Sequence, residues 1–453
     1  MNRLRCLKLI HFATVIVSIH ISIAHAQYGP PRDDGGFQKH SKEKVELGQL
    51  LFFDKILSGN KNISCASCHH PLNGTADGLP LGIGEGGTGM GPSRALNGVT
   101  AAGFNYKKRI PRNAPALFNL GHKDFQTMFH DGRVQINTRH ASGFTTPAGN
   151  QTPRGLESPL AAQAMFPVTS ADEMAGEPGS NPVADAAEAK RFTGPDGVWE
   201  LLASRIRAIP EYVSLFHKAY PGKFSAVNQI TMVDIANAIA AFESSTWRAD
   251  NSPFDRFMAG EADCFSKQAR EGLVLFLGKG QCSSCHAGRF QTDHRFHAIA
   301  MPQIGPGKGD GSAGNHDYGR ERVTGRESDR YKFRTPSLRN VALTAPYGHC
   351  GAYYDLKTTI KHHLNPASAI SEFNPAYTRV PNTNTLTGHD MALMQNSEEV
   401  RNMVSRSEIR QIPLTDEEVD KIVEFLYCLT DPKSFNMLNQ IPHRVPSGLP
   451  ITD

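Results

Sequence analysis

The chain has 453 residues, a formal net charge of +4, 39% hydrophobic residues and 41 glycines. This composition is typical of a globular protein rather than a disordered one, and the length suffices for two domains with cores of their own. The small basic excess forms no run suited to nucleic acid, so we expect no nucleic-acid partner. No stretch beyond the N-terminus approaches the ~20 apolar residues that span a bilayer, so we expect no membrane span.

Residues 1–26 have the pattern of a secretory signal peptide. A basic start is followed by a largely apolar run and by the small-x-small cleavage site Ala24-His25-Ala26. A permanent membrane anchor is the alternative, although His11 and His20 interrupt the apolar run. We therefore expect a protein exported to the periplasm that begins with a flexible arm over residues 27–42.

Hydrophobic periodicity predicts a mostly α-helical protein with few strands. The helix candidates are residues 44–53, 199–218, 230–247, 266–277 and 415–429. The last candidate opens with a capping box formed by Thr415 and Glu418. Dense glycines predict loops over residues 74–98 and 143–155, and residues 305–325 form a long polar loop.

Two pentapeptides, Cys65-Ala66-Ser67-Cys68-His69 and Cys282-Ser283-Ser284-Cys285-His286, predict the chemistry of the chain. Each is a CxxCH, the motif that attaches a c-type haem through two thiols, with the adjacent histidine as the proximal ligand of the iron. A structural zinc site and a thioredoxin-like redox pair are the alternatives. Zinc requires a second ligand pair at finger-like spacing, and a redox pair requires a strand-to-helix context. Two copies in an exported chain favour two covalently bound haem c groups.

A weak internal repeat precedes the two motifs. Gly48-Gln49-Leu50-Leu51-Phe52 stands before the first CxxCH, and Gly272-Leu273-Val274-Leu275-Phe276 stands before the second. Two cytochrome-c-like haem domains in tandem would produce this repeat. We place the boundary near Glu261, between a first haem domain (43–260) and a second haem domain with a C-terminal extension (261–453).

Three cysteines remain once the signal peptide and the CxxCH motifs are set aside: Cys264, Cys350 and Cys428. Thiols in an oxidising compartment often pair. Our hypothesis is a Cys350–Cys428 disulfide with Cys264 as a buried thiol. The alternative is that all three remain reduced.

Between about Glu46 and Pro432 the sequence resembles the bacterial diheme cytochrome c peroxidases and their MauG-type relatives. Beside the two CxxCH motifs, the resemblance rests on the segments Leu47-Gly48-Gln49-Leu50-Leu51-Phe52-Phe53-Asp54, Phe129-His130-Asp131-Gly132-Arg133, Phe333-Arg334-Thr335-Pro336-Ser337-Leu338-Arg339-Asn340 and Leu343-Thr344-Ala345-Pro346-Tyr347. It implies that the first haem, with His69 as proximal ligand, is peroxidatic. The second haem, with His286, would transfer electrons.

The resemblance also implies a distal acid. Gln163, Pro167 and Glu173 stand at the spacing of the family's distal glutamine, proline and glutamate. A carboxylate over an open iron face can take a proton from one peroxide oxygen and return it to the other. The alternative is that Glu173 is a surface glutamate at a helix end.

A calcium ion between the haems is implied in the same way. Asn113, Thr344 and Pro346 match the positions of its ligands in the family. Oxygen-only ligation suits calcium. The alternative is that Asn113 only stabilises a turn.

Glu85 stands where classical members of the family place a labile histidine ligand of the first haem. A carboxylate is a poor ligand for ferrous haem, so we expect an open or weakly capped iron that binds peroxide without prior reductive activation. The alternative is that the glycine-rich loop is displaced.

His363 lies nineteen residues after Thr344, where the family has a methionine or tyrosine ligand to the second haem. Leu356, Ile360 and His363 share one face of a helix, whereas His362 lies roughly 100° away from it. We therefore expect His363 to be the ligand, with His362 as the alternative. Bis-histidine ligation would give a lower potential than histidine–methionine ligation.

His130 replaces the tryptophan that the family places between its haems. Histidine carries an electron hole less readily than tryptophan, so we expect slower or rerouted transfer between the haems. The tryptophans of the chain, Trp199 and Trp247, lie outside this motif.

Together these features predict an exported diheme peroxidase that reduces hydrogen peroxide to water with electrons from a small cytochrome c or a cupredoxin. One alternative is a MauG-type oxidase that modifies a partner protein, and another is a diheme electron-transfer cytochrome without turnover. Glu173 and an open first haem argue against the pure carrier. A homodimer is compatible with the sequence.

Overall fold

A computed structural model describes residues 35–96, 109–380 and 390–452, and the predicted signal peptide lies outside them. The described chain is mostly α-helical, as predicted. Its α-helices are α1 (Lys42–Phe53), α2 (Cys65–Cys68), α3 (Pro159–Ala164), α4 (Pro182–Glu188), α5 (Val198–Arg207), α6 (Pro210–Ala219), α7 (Met232–Thr246), α8 (Pro253–Met258), α9 (Lys267–Leu277), α10 (Glu321–Thr324), α11 (Leu356–Leu364), α12 (Pro366–Ser371), α13 (Ser397–Ser405) and α14 (Asp416–Tyr427). In this part of the chain, no helix is both long enough and apolar enough to cross a membrane.

The strands are short and form small antiparallel sheets. They are β1 (Gly87–Thr88), β2 (Ala95–Leu96), β3 (Thr127–Met128), β4 (Val134–Ile136), β5 (Phe144–Thr145), β6 (Phe296–Ala298) and β7 (Lys332–Arg334). β1 pairs with β2, β4 lies between β3 and β5, and β6 pairs with β7. In the last pair Phe296 lies opposite Arg334.

One predicted helix, residues 199–218, is two helices in the structure. α5 ends at Arg207 and α6 begins with Pro210. Proline lacks the N–H that a continuing helix needs, but it suits the first position of a new one. Local proline chemistry therefore overrides the continuous apolar pattern.

Matching helix crossings explain the internal repeat. α1 crosses α7 at Gly48, where a Cβ atom would lie 1.9 Å from the carbonyl oxygen of Ala238. α9 crosses α14 at Gly272, where a Cβ atom would lie 1.8 Å from the carbonyl oxygen of Lys421. The two backbones touch at each crossing, so only glycine fits. Each crossing lies in the helix that precedes a CxxCH motif.

The buried apolar residues form two large clusters, here called the first and second cores, and the C-terminal extension packs on the first one. Met437 and Val445 belong to the first core. The Trp247 indole donates a hydrogen bond to the Gln440 side chain at 2.7 Å. The extension follows the second domain in sequence, yet it completes the first domain in space.

The described end of the predicted flexible arm is packed rather than loose. Phe37 forms a backbone bridge with His122, and their rings lie 4.9 Å apart. The Arg248 guanidinium lies 4.3 Å from the centre of the Phe37 ring. Ser41 then caps α1 by accepting a hydrogen bond from the Lys44 N–H at 3.2 Å.

The structure contradicts the Cys350–Cys428 disulfide, because both residues are free thiols that belong to different apolar clusters. Cys350 is buried beside Leu81, with its sulfur 3.0 Å from the carbonyl oxygen of Pro302. Cys428 ends α14 at the edge of the second core. Cys264, predicted to be buried, is only half-buried.

Candidate haem sites

The first CxxCH forms the short helix α2, and His69 follows as its C-terminal cap. The Nδ1 atom of His69 lies 3.1 Å from the carbonyl oxygen of Thr75. A carbonyl oxygen only accepts hydrogen bonds, so Nδ1 carries the proton in this contact and a metal would be bound through Nε2. Burial lowers the pKa of His69, which keeps the imidazole neutral as a ligand must be.

A cavity has Cys65, Cys68 and His69 in its wall. Most of the remaining wall is apolar, which suits the faces of a porphyrin. The cationic Arg334 also lines the cavity, and its Nη1 atom is buried with no hydrogen-bond partner among the described residues. Haem c carries two carboxylates, and a buried guanidinium requires such an anion. The residues present therefore fit a haem c group.

The predicted distal residues Gln163, Pro167 and Glu173 all line this cavity. Gln163 lies in α3, and Glu173 lies in a single turn of π-helix, Ala171–Ala175. Such turns occur frequently at functional sites. Burial raises the pKa of the Glu173 carboxyl, and Arg133 is the foremost of the groups that oppose this rise.

Two close backbone contacts hold the π-helix in place. A Cβ atom on Gly59 would lie 1.8 Å from the carbonyl oxygen of Ala175, and one on Gly84 would lie 2.0 Å from that of Asp172. The Gly59 N–H also donates to the carbonyl oxygen of Met174 at 2.7 Å. The position of Glu173 is thus set by glycines on both sides of its turn.

Glu85 is not among the described residues that line the cavity. Its Oε1 atom accepts hydrogen bonds from the side-chain amides of Asn60 at 2.7 Å and Asn62 at 2.9 Å. Its backbone N–H donates to the carbonyl oxygen of Asp172 at 3.3 Å. The glycine-rich loop therefore directs Glu85 toward the support of the π-helix, and the structure does not bring it to the predicted catalytic position.

The second site pairs His286 with His363. The Nδ1 atom of His286 lies 3.0 Å from the carbonyl oxygen of Gln291, and that of His363 lies 2.8 Å from the carbonyl oxygen of Thr359. With a proton on each Nδ1, a metal would be bound through the Nε2 atoms, and the ring centres lie 6.4 Å apart. Metal–imidazole bonds of about 2 Å, with each ring centre roughly 1 Å beyond its nitrogen, would place two ligand rings about 6 Å apart. The separation suits one iron between them.

The alternative ligand, His362, has both ring nitrogens engaged elsewhere. Nδ1 lies 3.0 Å from the hydroxyl of Tyr353, and Nε2 lies 2.9 Å from the carbonyl oxygen of Ile299. The side chain is fully buried in these contacts. His362 thus has the contacts of a satisfied core histidine, and His363 stays the predicted ligand.

His130 lines the first cavity. Its Nε2 atom lies 3.1 Å from the carbonyl oxygen of Asn113, and its own carbonyl oxygen accepts the Arg334 N–H at 2.8 Å. Burial, with Arg112 as the next cause, lowers the pKa of His130 to about 4. The ring is therefore neutral at physiological pH. Nearby, the His349 ring stacks on Phe333 with centres 3.8 Å apart.

Two of the predicted calcium ligands, Asn113 and Pro346, lie near the segment Leu79-Pro80. The Asn113 side-chain amide donates to the carbonyl oxygen of Leu79 at 2.8 Å. A Cβ atom on Gly351 would lie 2.4 Å from the Cα atom of Pro80 and 2.9 Å from the Pro346 ring. Thr344 ends the short helix Val341–Leu343 just before Pro346. The structure thus places both Asn113 and Pro346 close to the Leu79-Pro80 segment.

Two features of the sites went unpredicted. Arg112 forms a buried double ion pair, with Asp131 at 2.6 Å and with Asp317 of the second domain at 2.6 Å. Glu243 lines the first cavity. The sequence could have indicated Glu243, because it lies on the same helix face as the apolar residues Met232, Ile235 and Ile239 of α7. An acidic residue is unexpected on an apolar helix face.

Comparison with known proteins agrees with this geometry. The sequence model of the di-haem cytochrome c peroxidase family matches residues 42–263. Cytochrome c551 peroxidase of Pseudomonas aeruginosa is 30% identical over 71% of this chain and 72% of its own length. The methylamine utilization protein MauG of Methylorubrum extorquens is 29% identical over 71% of this chain and 69% of its own.

Among solved structures, a MauG-like protein associated with microbial copper homeostasis is similar over 91% of this chain and 96% of its own, with a TM-score of 0.56 and 26% identity. The diheme peroxidase BthA of Burkholderia thailandensis is similar over 88% of each chain, with a TM-score of 0.55 and 20% identity, and so shares the fold. These likenesses confirm the predicted fold class of two tandem cytochrome-c-like haem domains. The chain therefore belongs to the di-haem cytochrome c peroxidase family of oxidoreductases.

Proposed function

We propose that this chain is an exported diheme peroxidase that reduces hydrogen peroxide to water. The observation that carries the proposal is the shared cavity, whose wall contains both the CxxCH histidine His69 and the predicted distal residues Gln163, Pro167 and Glu173. A haem iron held by His69 would supply the electrons and the coordination site for peroxide. Cys65 and Cys68 would attach that haem.

Glu173 would serve as the proton-transfer group. Reduction of peroxide breaks the O–O bond and consumes two electrons and two protons to form two waters. Glu173 would take a proton from one peroxide oxygen and return it to the other. Burial raises the pKa of this carboxyl while Arg133 and Lys308 oppose the rise. These opposing effects favour a group that both accepts and releases a proton. Gln163 would orient the peroxide, and Pro167 would shape the pocket.

The second site would relay the electrons. His286 and His363 would hold its haem iron from both sides, which leaves no open position for peroxide. Cys282 and Cys285 would attach this haem. A small cytochrome c or a cupredoxin in the periplasm would deliver electrons to it, and a calcium ion held by Asn113, Thr344 and Pro346 would lie between the haems.

A MauG-type oxidase that modifies a partner protein is the second candidate. It is favoured by the similarity to MauG of Methylorubrum extorquens and by His363, since the peroxidases of the family place methionine there. Such a protein would react with peroxide but would not oxidise a small electron donor.

Replacement of Glu173 by glutamine tests the proposal. We expect the variant to bind both haems, as shown by its oxidised spectrum, and to lose at least about 10²-fold in peroxide-dependent oxidation of reduced cytochrome c. Glu188→Gln, at an exposed site at the end of α4, is the matched control and should retain the parent rate. A Glu173→Gln rate within about threefold of the parent would contradict the assignment. If the parent reacts with peroxide but ignores reduced donors, the second candidate is favoured.

A further inference from the structure

Glu243 is a second acid in the wall of the first haem cavity, and the peroxidase proposal gives it no role. It lies on α7 with Met232 and Ile239, which line the same cavity. Its side chain is buried, and only 4% of the residue is exposed. It lies close enough to Cys65 to raise the pKa of that thiol. Glu243 is therefore near the end of the cavity where the haem would be attached.

The structure provides little to stabilise an ionised Glu243. Its Oε2 atom is buried with no hydrogen-bond partner among the described residues. Burial raises the pKa of Glu243 to about 8, and no described charged group offsets this rise. The carboxyl is therefore protonated at pH 7.

The helices packed on α7 direct their charged side chains elsewhere. α3 carries none. On α1, Lys42 pairs with Glu46 and Lys44 pairs with Glu157, while Glu43 is exposed. On α5, Arg207 pairs with Glu200. Arg205 donates to the backbone carbonyls of Ile56, Ser58 and Gly59. Besides the haem-attaching Cys65 and Cys68, the other ionisable groups of the cavity wall are His69, Arg112, His130, Arg133, Glu173 and Arg334. Burial is the cause of the raised pKa of Glu243, and none of these groups contributes to the shift.

The two carboxylates of haem c cannot stabilise an ionised Glu243, because they only accept hydrogen bonds and carry the same charge. A buried acid beside a redox centre responds to the charge of that centre. Reduction of the iron lowers the local charge by one, which favours the protonated acid. Oxidation favours its release of the proton.

We infer that Glu243 is a redox-linked proton acceptor of the first haem, taking up a proton from solvent when an electron reaches the haem and releasing it when the electron leaves. The inference requires that a haem is attached at Cys65 and Cys68. It does not require that the haem turns over peroxide.

The sign of the expected effect follows from linkage. At pH values where Glu243 is protonated in both redox states, the potential of the first haem is independent of pH. Between the pKa of the acid beside oxidised haem and the higher pKa beside reduced haem, one proton enters with each electron. The potential then falls as the pH rises. Because burial raises the pKa of Glu243, this window lies above the usual pH range of a glutamate carboxyl.

A spectroscopic redox titration of the diheme holoprotein between about pH 6 and 10 tests the inference. We expect the potential of the first haem in the parent to fall with pH in this window. In Glu243→Gln it should stay near the low-pH value of the parent, because glutamine mimics the protonated acid. Glu46→Gln, at an exposed site on α1, is the control and should behave like the parent. A flat parent profile, or the same slope in Glu243→Gln, would overturn the inference.

Infrared difference spectroscopy of the haem redox change provides a second measurement if Glu243→Gln fails to attach haem. Reduction should increase the C=O band of a protonated carboxylic acid, and labelling with ¹³C-glutamate should shift that band. The band should remain in Glu173→Gln, which excludes the distal acid as its source. Absence of a glutamate band on reduction would overturn the inference. Neither measurement requires peroxide turnover, so a failure of the proposed function would be seen separately in the cytochrome c assay.

Discussion

Replacement of Gly84 by alanine tests whether the position of the π-helix sets the activity. The new Cβ atom would lie 2.0 Å from the carbonyl oxygen of Asp172 and 2.9 Å from the Cα atom of Glu173, whereas ordinary contacts begin at 3.4 Å. The turn that carries Glu173 would have to withdraw by on the order of 1 Å, and such a displacement of a catalytic group costs about 10²-fold in rate. We therefore expect kcat/KM for peroxide to fall about 100-fold, which corresponds to roughly 2.7 kcal/mol of transition-state stabilisation.

The assay is peroxide-dependent oxidation of reduced cytochrome c, normalised to the haem content of each preparation. Gly143→Ala is the matched control. The backbone of Gly143 is left-handed, with φ of +87°, and a Cβ atom there would meet nothing within 4 Å. Gly143→Ala adds a methyl group to a glycine without any steric contact with the π-helix. The activity of this control should therefore stay near that of the parent. Parent-like activity of Gly84→Ala, with an unchanged melting temperature, would refute the reasoning.

Two further predictions concern the second haem and the proposed calcium site. His363→Met should raise the potential of the second haem and add a sulfur-to-iron absorption band, because thioether ligation favours the ferrous state; an unchanged potential in a redox titration would argue against His363 as the ligand. Prolonged dialysis against a calcium chelator should slow electron transfer between the haems in rapid-reduction measurements, and Ca²⁺ but not Mg²⁺ should restore it, since Asn113, Thr344 and Pro346 offer only oxygen ligands. Transfer that is unaffected while metal analysis shows no calcium would contradict the proposed site.

The haem-attachment residues are predictable from sequence because the chemistry itself is local. Two thiols and a histidine must be close along the chain to reach one porphyrin, so the pentapeptide suffices. The choice between His362 and His363 is also local, since helical geometry places neighbouring side chains on different faces. In the structure His362 is engaged at both nitrogens, and the His363 ring lies 6.4 Å from that of His286.

Features that depend on contacts between distant parts of the chain could not be predicted from the sequence. Spacing placed Glu85 where a ligand would stand, but the direction of its side chain depends on Asn60 and Asn62. The proposed pairing of Cys350 with Cys428 was wrong because thiol connectivity follows the tertiary fold, and the two residues belong to different apolar clusters. Glu243 lies on the apolar stripe of its helix, where only the structure shows that a cavity faces it.

The glycine crossings give each half of the molecule a helix-packing contact of its own. Each half keeps its own backbone contact, at Gly48 or at Gly272, and that contact involves no haem ligand. The ligand set of one half can therefore diverge by point substitution while its scaffold is retained. Exchange of a whole half between relatives is constrained instead at the junction, where Arg112 requires both Asp131 of its own half and Asp317 of the other. A chimaera that separates Arg112 from Asp317 would leave buried charges unpaired, and one that exchanges the C-terminal extension would also alter the first core.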